Sequence, residues 1–325
     1  MSSMTEARLP RIGLVGAGAI ADFHIEAFRV AGAPAAAVAS TDVAEAIDFA
    51  KRHDVPAVFS SIEDMLARGA VDGVVVATPT PFHAEHTDIA LRNGVHVLCE
   101  IPIAVSTADA QRLAALAAAR ERVLMIAHTQ RFWRSIAHMR GILAAGQVTP
   151  IQVIGRYYLP RRTNASWTGR PRRWIDSALW HHGLHVIDSC LSSANLSPKR
   201  ISASASGIGV IDGGPTDLAL LVRTEEGVLV SATISYSAKT YLNDYMFICE
   251  EDTFIATINQ LTSSTELLVD ASNSRAEAMA VQASLFIDAI TGACPPMPTV
   301  RTVLPAMTVI EKAAQQISSA REGQE

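Results

Sequence analysis

No Cys-x-x-Cys pair occurs in the chain, and its four cysteines, Cys99, Cys190, Cys249 and Cys294, stand far apart. That scatter implies no disulfide framework and fits a reduced cytoplasm, where each thiol serves as a small buried apolar group. No apolar run approaches the roughly 20 residues of a membrane span. Residues Met1 to Pro10 lack the apolar core of a signal peptide and read as a short disordered lead. Positive charge is not in excess: the net charge is −5, which argues against a general nucleic-acid binder. Internal repeats and low-complexity tracts are absent as well. What remains is ordinary globular material, 49% hydrophobic and 18% charged. At 325 residues it is long enough for two domains rather than one core.

The first part alternates. Strands are expected at Arg11–Val15, Ala35–Ala39, Gly73–Ala77, Val95–Cys99 and Val123–Ala127. Between them, helices are expected at Ile20–Ala31, Ala44–His53, Ile62–Arg68, His83–Asn93 and Ala108–Arg120. Such alternation predicts a doubly wound parallel sheet covered on both faces. After a helix near Ile136–Ala145 the strand signals crowd together, at Ile151–Leu159, Arg200–Gly209, Thr216–Val222, Val228–Ser235, Tyr245–Cys249 and Thr253–Ala256. Short polar connections between them predict a large, mostly antiparallel sheet in an α+β domain. One helix, Trp180–Cys190, interrupts it, and helices at Ala276–Thr291 and Pro305–Ala320 close the chain. The expected domains are 1–128 and 129–325, with the active site between them.

Strand Ile12–Val15 runs straight into Gly16-Ala17-Gly18-Ala19-Ile20-Ala21, a G-x-G-x-x-A turn that opens a helix. The first glycine permits the tight turn, the second lets the backbone approach a pyrophosphate, and the small Ala21 lets helix pack on strand. The helix N-terminus adds free N–H donors and partial positive charge. A glycine turn that serves packing alone is the competing reading. The second strand ends Ala39-Ser40-Thr41-Asp42. An enzyme selective for NAD needs a carboxylate there for the ribose hydroxyls. Ser40 and Thr41 would not repel a 2′-phosphate, so NADP is expected, with NAD possible through Asp42.

Further motifs resemble one family. Ala77-Thr78-Pro79-Thr80-Pro81-Phe82-His83 is similar to the T-P-x-x-x-H segment of the glucose–fructose oxidoreductase / inositol dehydrogenase (Gfo/Idh/MocA) family. Glu100-Ile101-Pro102 stands where that family carries Glu-Lys-Pro, and His185-Val186-Ile187-Asp188 matches its H-x-x-D helix. The resemblance implies that Thr78, Pro79, Thr80, His83, Glu100 and Ile101 lie at the cofactor. A narrower resemblance rests on Glu-Ile-Pro, His128-Thr129-Gln130-Arg131-Phe132, Pro171-Arg172-Arg173-Trp174-Ile175-Asp176 and Leu179-Trp180-His181-His182. It is to a branch that oxidises the cyclic hemiacetal of 4-carboxy-2-hydroxymuconate-6-semialdehyde to 2-pyrone-4,6-dicarboxylate with NADP. The broad family's catalytic Lys is Ile101 here, and Ile moves no proton. Either catalysis is lost, leaving a non-catalytic NADP-binding sensor, or another group acts.

Trp180-His181-His182-Gly183-Leu184-His185 holds the candidate base. On a helix, His181 and His185 share a face, and a neutral imidazole can take the proton of a hemiacetal hydroxyl. The broad family usually carries Asp at the His181 position, so His there fits a relocated base. Asp188 could orient the helix or a neighbouring His. His182 is expected off that face, packed or solvated, or else at the substrate. Zinc is the bland alternative for three histidines, but no third ligand has suitable spacing.

Arg131 and Arg134 flank Phe132-Trp133, while Arg161, Arg162, Arg170, Arg172 and Arg173 lie between Tyr158 and Trp174. Guanidinium groups bind carboxylates in two-pronged fashion, so Arg131, Arg161, Arg162, Arg172 and Trp174 are expected around a dicarboxylate. A solvated charged loop is the alternative, and a nucleic-acid patch fits the net charge poorly. A dehydrogenase of a cyclic dihydrodiol or sugar would keep the turn and the histidines. The family resemblance also implies a homodimer or homotetramer built through the outer face of the second sheet.

Overall fold

A computed structural model describes residues 9–165, 169, 177–206, 214–272 and 274–322. The expected N-terminal lead, the end of the strand expected to reach Gly209, and Arg170, Arg172, Arg173 and Trp174 lie outside the described residues. The chain divides into two units. One holds the chain up to Ala104, Ala108–Ala127 and Met279–Val300. The other holds Val105–Thr107, His128–Ala278 and the chain from Arg301 onward.

The first unit is built on β1 (Ile12–Val15), α1 (Ala19–Val30), β2 (Ala35–Ala39), α2 (Val43–His53), β3 (Val58–Phe59) and α3 (Ile62–Ala67). It continues through β4 (Gly73–Val76), α4 (His83–Arg92), β5 (His96–Glu100), α5 (Thr107–Ala119) and β6 (Leu124–Ala127). The strand order is β3-β2-β1-β4-β5-β6 and every pairing is parallel. Strands β1, β4 and β6 are buried along their whole length. That is why they read as unbroken apolar runs rather than alternating ones. Leu14 and Val38 of the sheet, Ala21 and Ile25 of α1, and Ala46 and Phe49 of α2 share one buried cluster. Side-chain caps start the next two helices: Asp42 accepts from the Glu45 amide and Ser61 from the Asp64 amide.

The second unit carries α6 (Arg134–Ala144), β7 (Pro150–Tyr158), α7 (Leu184–Ser193), β8 (Pro198–Ala205), β9 (Asp217–Thr224) and β10 (Leu229–Ser235). Then come β11 (Leu242–Cys249), β12 (Thr253–Thr257), β13 (Gln260–Thr262), β14 (Leu267–Asp270) and α9 (Val300–Glu322), while α8 (Ser274–Thr291) starts in this unit and belongs to the first from Met279 onward. Its eight strands are ordered β14-β13-β12-β11-β7-β10-β9-β8. Only β7 and β10 pair in parallel; the rest are antiparallel. The fold class is therefore the expected one: a parallel Rossmann sheet followed by a large, mostly antiparallel sheet. Strand β9 alternates buried and exposed positions, the mark of a sheet with one covered face. Helix α7 lies close on β7. A Cβ on Gly155 would sit 2.4 Å from Val186 Cγ1 and 2.8 Å from Cys190 Sγ, so glycine is what lets the helix approach.

The differences have local causes. A single boundary at residue 128 misses the chain's return to the first unit at Met279. There Phe286 stands edge-on to Phe28, with centroids 6.2 Å apart. Strands β3, β13 and β14 are too short to show a period. Helix α9 begins before Pro305, which gives up one N–H bond near the helix start rather than opening the helix. The expected helix over Trp180–Cys190 starts as a π-helical turn, Leu179–Gly183, before α7. No helix among the described residues is long and apolar enough to cross a membrane.

Candidate active site

The first unit presents the glycine turn at the end of β1. Gly16 has φ +105°, and a Cβ there would lie 2.6 Å from the Ala77 carbonyl oxygen, so glycine is required on both counts. Beside Gly18 the reverse holds: a Cβ would meet nothing within 4 Å. Helix α1 starts at Ala19 with no side-chain cap. Its first amides therefore face an open cradle, which fits the diphosphate of a dinucleotide. Ala17 is buried, while Ala19 and Ile20 are partly exposed at the first helical turn.

At the end of β2, Ser40 Oγ accepts from the Asp42 amide at 3.2 Å, and Asp42 Oδ1 accepts from Glu45 N at 3.1 Å. The nearest carboxylate is thus engaged in capping α2, and Thr41 is exposed. Beyond β4, Thr80 opens a 3-10 turn after Pro79. His83 is buried, its Nδ1 2.7 Å from the Pro102 carbonyl and its Nε2 2.7 Å from the Thr78 carbonyl. It staples the Thr78 loop to the turn carrying Ile101, whose own side chain is buried. Thr78 Oγ1 lies 3.0 Å from His86 Nδ1, which ties the loop after β4 to α4. Burial lowers the His86 pKa. Glu100, at the carboxyl end of β5, meets the buried His24 of α1 at 2.6 Å. His24 escaped the sequence reading because it sits on the buried face of α1 with no motif around it.

The second unit gathers the histidines. His181 and His182 are stacked with centroids 4.3 Å apart, and His181 and His185 stand 6.0 Å apart. His182 is not turned away, as expected, but buried in the same cluster. The π turn advances the chain more slowly per residue than an α-helix and so brings both rings to one side. His182 stacks on Tyr157 at 4.1 Å, and its Nδ1 lies 2.6 Å from the Tyr236 hydroxyl. Behind them His128 stands edge-on to His185 at 5.0 Å. Tyr157 and Tyr236 were missed: each lies on or just after a strand, and only sheet pairing brings them here.

The charged groups sort themselves. Arg131 is 5% exposed and clasps Asp188, which is 1% exposed, in two-pronged fashion: Nε to Oδ2 at 2.7 Å and Nη2 to Oδ1 at 2.6 Å. Its Nη1 and Nη2 also donate to Thr302. This corrects the expectation that Arg131 meets a substrate carboxylate, since its guanidinium is taken by protein acceptors. Asp188 also lies 3.1 Å from His128 Nε2, so the histidine beside it is His128 rather than His181 or His185. Arg134 pairs with Glu277. Arg162 donates to the Tyr236 and Ser237 carbonyls. Arg161 differs: it is 8% exposed, lies over the Tyr236 ring at 5.2 Å, and bonds Asn164 through Nη2. Among the described residues its buried Nε has no hydrogen-bond partner. Burial, and then the proximity of His128, His181 and Arg275, hold the His185 pKa well below the ordinary imidazole value. Its Nδ1 is buried without a hydrogen-bond partner among the described residues. Arg275, from the start of α8, carried no signal in the sequence. Among the described residues no group of three His, Cys, Asp or Glu is arranged to hold a metal ion.

Comparison with known proteins supports the same assignment. Residues 10–128 match the profile described as “Oxidoreductase family, NAD-binding Rossmann fold” (GFO_IDH_MocA). Residues 134–275 match “Bacterial oxidoreductases, C-terminal”. The chain is 30% identical over 266 residues to 4-carboxy-2-hydroxymuconate-6-semialdehyde dehydrogenase of Sphingobium sp., covering 81% of this chain and 84% of that one. The chain belongs to the Gfo/Idh/MocA family of oxidoreductases. Another member, the trans-1,2-dihydrobenzene-1,2-diol dehydrogenase of Bos taurus, is 31% identical over 80% of this chain and 77% of its own. Among solved structures, UDP-N-acetylglucosamine 3-dehydrogenase from Acidithiobacillus ferrooxidans superposes with a TM-score of 0.83 at 21% identity. That superposition covers 96% of this chain and 99% of the other. As a Gfo/Idh/MocA oxidoreductase, the protein departs from the family's Glu-Lys-Pro motif at Ile101.

Proposed function

We propose that the protein is an NADP-dependent dehydrogenase of aromatic catabolism. It oxidises the hemiacetal form of 4-carboxy-2-hydroxymuconate-6-semialdehyde to 2-pyrone-4,6-dicarboxylate. The observation that carries this reading is the grouping of His181, His182 and His185 near a buried arginine, Arg161, whose Nε is unspent. The similarity to the Sphingobium dehydrogenase supports this choice of substrate. Bound NADP supplies the hydride acceptor. Gly16–Ile20 would hold its diphosphate, Ser40 and Thr41 its 2′-phosphate, and Thr78, Pro79, Thr80, His83, Glu100 and Ile101 would line its nicotinamide side.

The chain's own residues do the rest. A neutral imidazole of the His181/His185 pair takes the hemiacetal hydroxyl proton as the C–H bond on the same carbon breaks, leaving the lactone carbonyl. Arg161 would hold one substrate carboxylate beside His182, with Arg162 at the margin, where its guanidinium donates to the Tyr236 and Ser237 carbonyls; Arg172 and Trp174, also expected at the substrate, lie outside the described residues. A substrate carrying two carboxylates suits guanidinium better than ammonium, because the planar fork binds both oxygens. The protein works in the cytoplasm as a homodimer or homotetramer through the open face of the second sheet. There Leu221, Ile154, Met246 and Ile255 lie in register along one row, through Ser231.

The test is the absorbance of reduced cofactor when the semialdehyde is added with NADP or NAD. Rapid reduction favouring NADP is the expected result; bound cofactor with no reduction sinks the substrate. A second reading, oxidation of a cyclic trans-dihydrodiol, is favoured by the similarity to the bovine enzyme. Turnover of such a diol in place of the semialdehyde would establish it. Binding of NADP without turnover of any alcohol would instead identify a sensor.

A further inference from the structure

Arg131, Asp188 and His128 are all buried, ionisable and unused by the reaction just described. They form a continuous string. Arg131 grips both oxygens of Asp188, Asp188 Oδ2 reaches His128 Nε2 at 3.1 Å, and the His128 ring meets the His185 ring edge-on at 5.0 Å. The string begins just after β6, passes through α7 and ends on the candidate base one turn earlier on the same helix. We propose that Arg131, Asp188 and His128 are positioning residues, a buried brace that fixes the ring plane of His185 and keeps that ring uncharged for the reaction. This rests on the assignment of His185 to the catalytic pair.

The physical argument is competition for a proton. Two imidazoles in edge contact inside a protein do not both carry charge, because like charges at that distance repel where water cannot screen them. The proton shared by such a pair belongs to the coupled pair and goes to the partner with the better counter-ion. His128 has the Asp188 carboxylate. His185 faces His128, His181 and Arg275, all positive when charged, and Asp188 is turned to Arg131 and His128. Among the described residues the buried Nδ1 of His185 also has no acceptor for a second proton. Arg131 matters because it anchors the carboxylate; without it Asp188 could swing toward His185 and charge it. An uncharged His185 can accept a substrate proton, whereas an imidazolium cannot.

Histidine NMR on the full-length protein tests this, with the His185 signal assigned by its loss in His185→Asn. In the unaltered protein His185 should stay neutral to well below the ordinary imidazole value near 6.5. Ordinary titration there overturns the proposal with no variant needed. In His128→Asn the His185 titration should move up by about one pH unit or more, and the acid limb of kcat/KM should move with it. His128→Gln should behave likewise. An unmoved His185 signal in a folded variant overturns the brace. A moved signal with an unmoved pH–rate profile overturns its part in the reaction. Wild-type turnover in His185→Ala would sink the base assignment itself, and the NMR titration would still report the coupling separately.

Discussion

The cofactor turn and the histidine cluster solve the same problem in opposite ways. In the first unit the chemistry is made by backbone over a few consecutive residues: Gly16 for conformation, Gly18 for space, and α1 for its free amides. In the second it is made by side chains drawn from distant places in the chain: His128, Tyr157, His181, His182, His185 and Tyr236. A backbone site depends on local geometry and tolerates change elsewhere. A side-chain site depends on every element that brings a ring to it.

The largest effect should separate the two outright. Replacing the proposed proton acceptor, by His181→Ala or His185→Ala, should lower kcat by about 10²–10⁴-fold, the usual worth of general-base catalysis. Cofactor binding, measured by fluorescence quenching, should not change in either variant. A loss of cofactor affinity would mean that the two sites are less independent than the comparison holds. Unchanged turnover in both variants would remove the histidines from the chemistry.

Gly155→Ala attacks the second site without touching a ring. The added Cβ must push against Val186 and Cys190, so α7 has to lift from β7. Overpacking of this kind costs about 1–3 kcal/mol, read as a lower midpoint in denaturant. Because α7 carries His185, kcat should fall alongside stability. Full activity in the variant would show that the ring cluster does not need α7 at this height.

The contrast also decides what was legible in the sequence. The parallel sheet announced itself through buried apolar strands, and the glycine turn through its spacing, since both are local patterns. Arg131 was misread because a guanidinium beside an aromatic pair looks the same whether it meets a substrate or a buried carboxylate. Only the fold brings Asp188 to it, from 57 residues away. His182 was misjudged because a helical wheel assumes an α-helix, and the π turn over Leu179–Gly183 shifts the phase. Tyr157, Tyr236 and Arg275 carry no motif; their places are set by sheet register and by the start of a late helix.

Gly16→Ala is the matching attack on the first site. The variant must hold a positive φ and crowd the Ala77 carbonyl, a strain of about 1–3 kcal/mol. Cofactor affinity should fall about tenfold or more, since about 1.4 kcal/mol is a factor of ten. The titration of His185 by NMR should be unmoved. A shift there would tie the two units together through the fold.

The smallest effect is the dependence of stability on pH, and it tests both units at once. Burial lowers the pKa of His185 in the second unit and of His86 and His96 in the first. A histidine whose folded pKa lies below its unfolded value near 6.5 takes up a proton more readily when unfolded. Its stabilising contribution is complete above that value and is lost as pH falls toward the folded pKa. Each such group steepens the loss by at most about 1.4 kcal/mol per pH unit. Thermal unfolding followed from pH 8 to pH 5 should therefore show a falling Tm. Replacing His185 with Asn should flatten the decline by about one proton's share, and His86→Asn should flatten it less, because His86 is less deeply enclosed and has Glu85 and Glu63 nearby to favour its charged form. An equal effect from the two replacements would mean that neither the deeper burial of His185 nor its repulsion from His128, His181 and Arg275 sets the acid sensitivity.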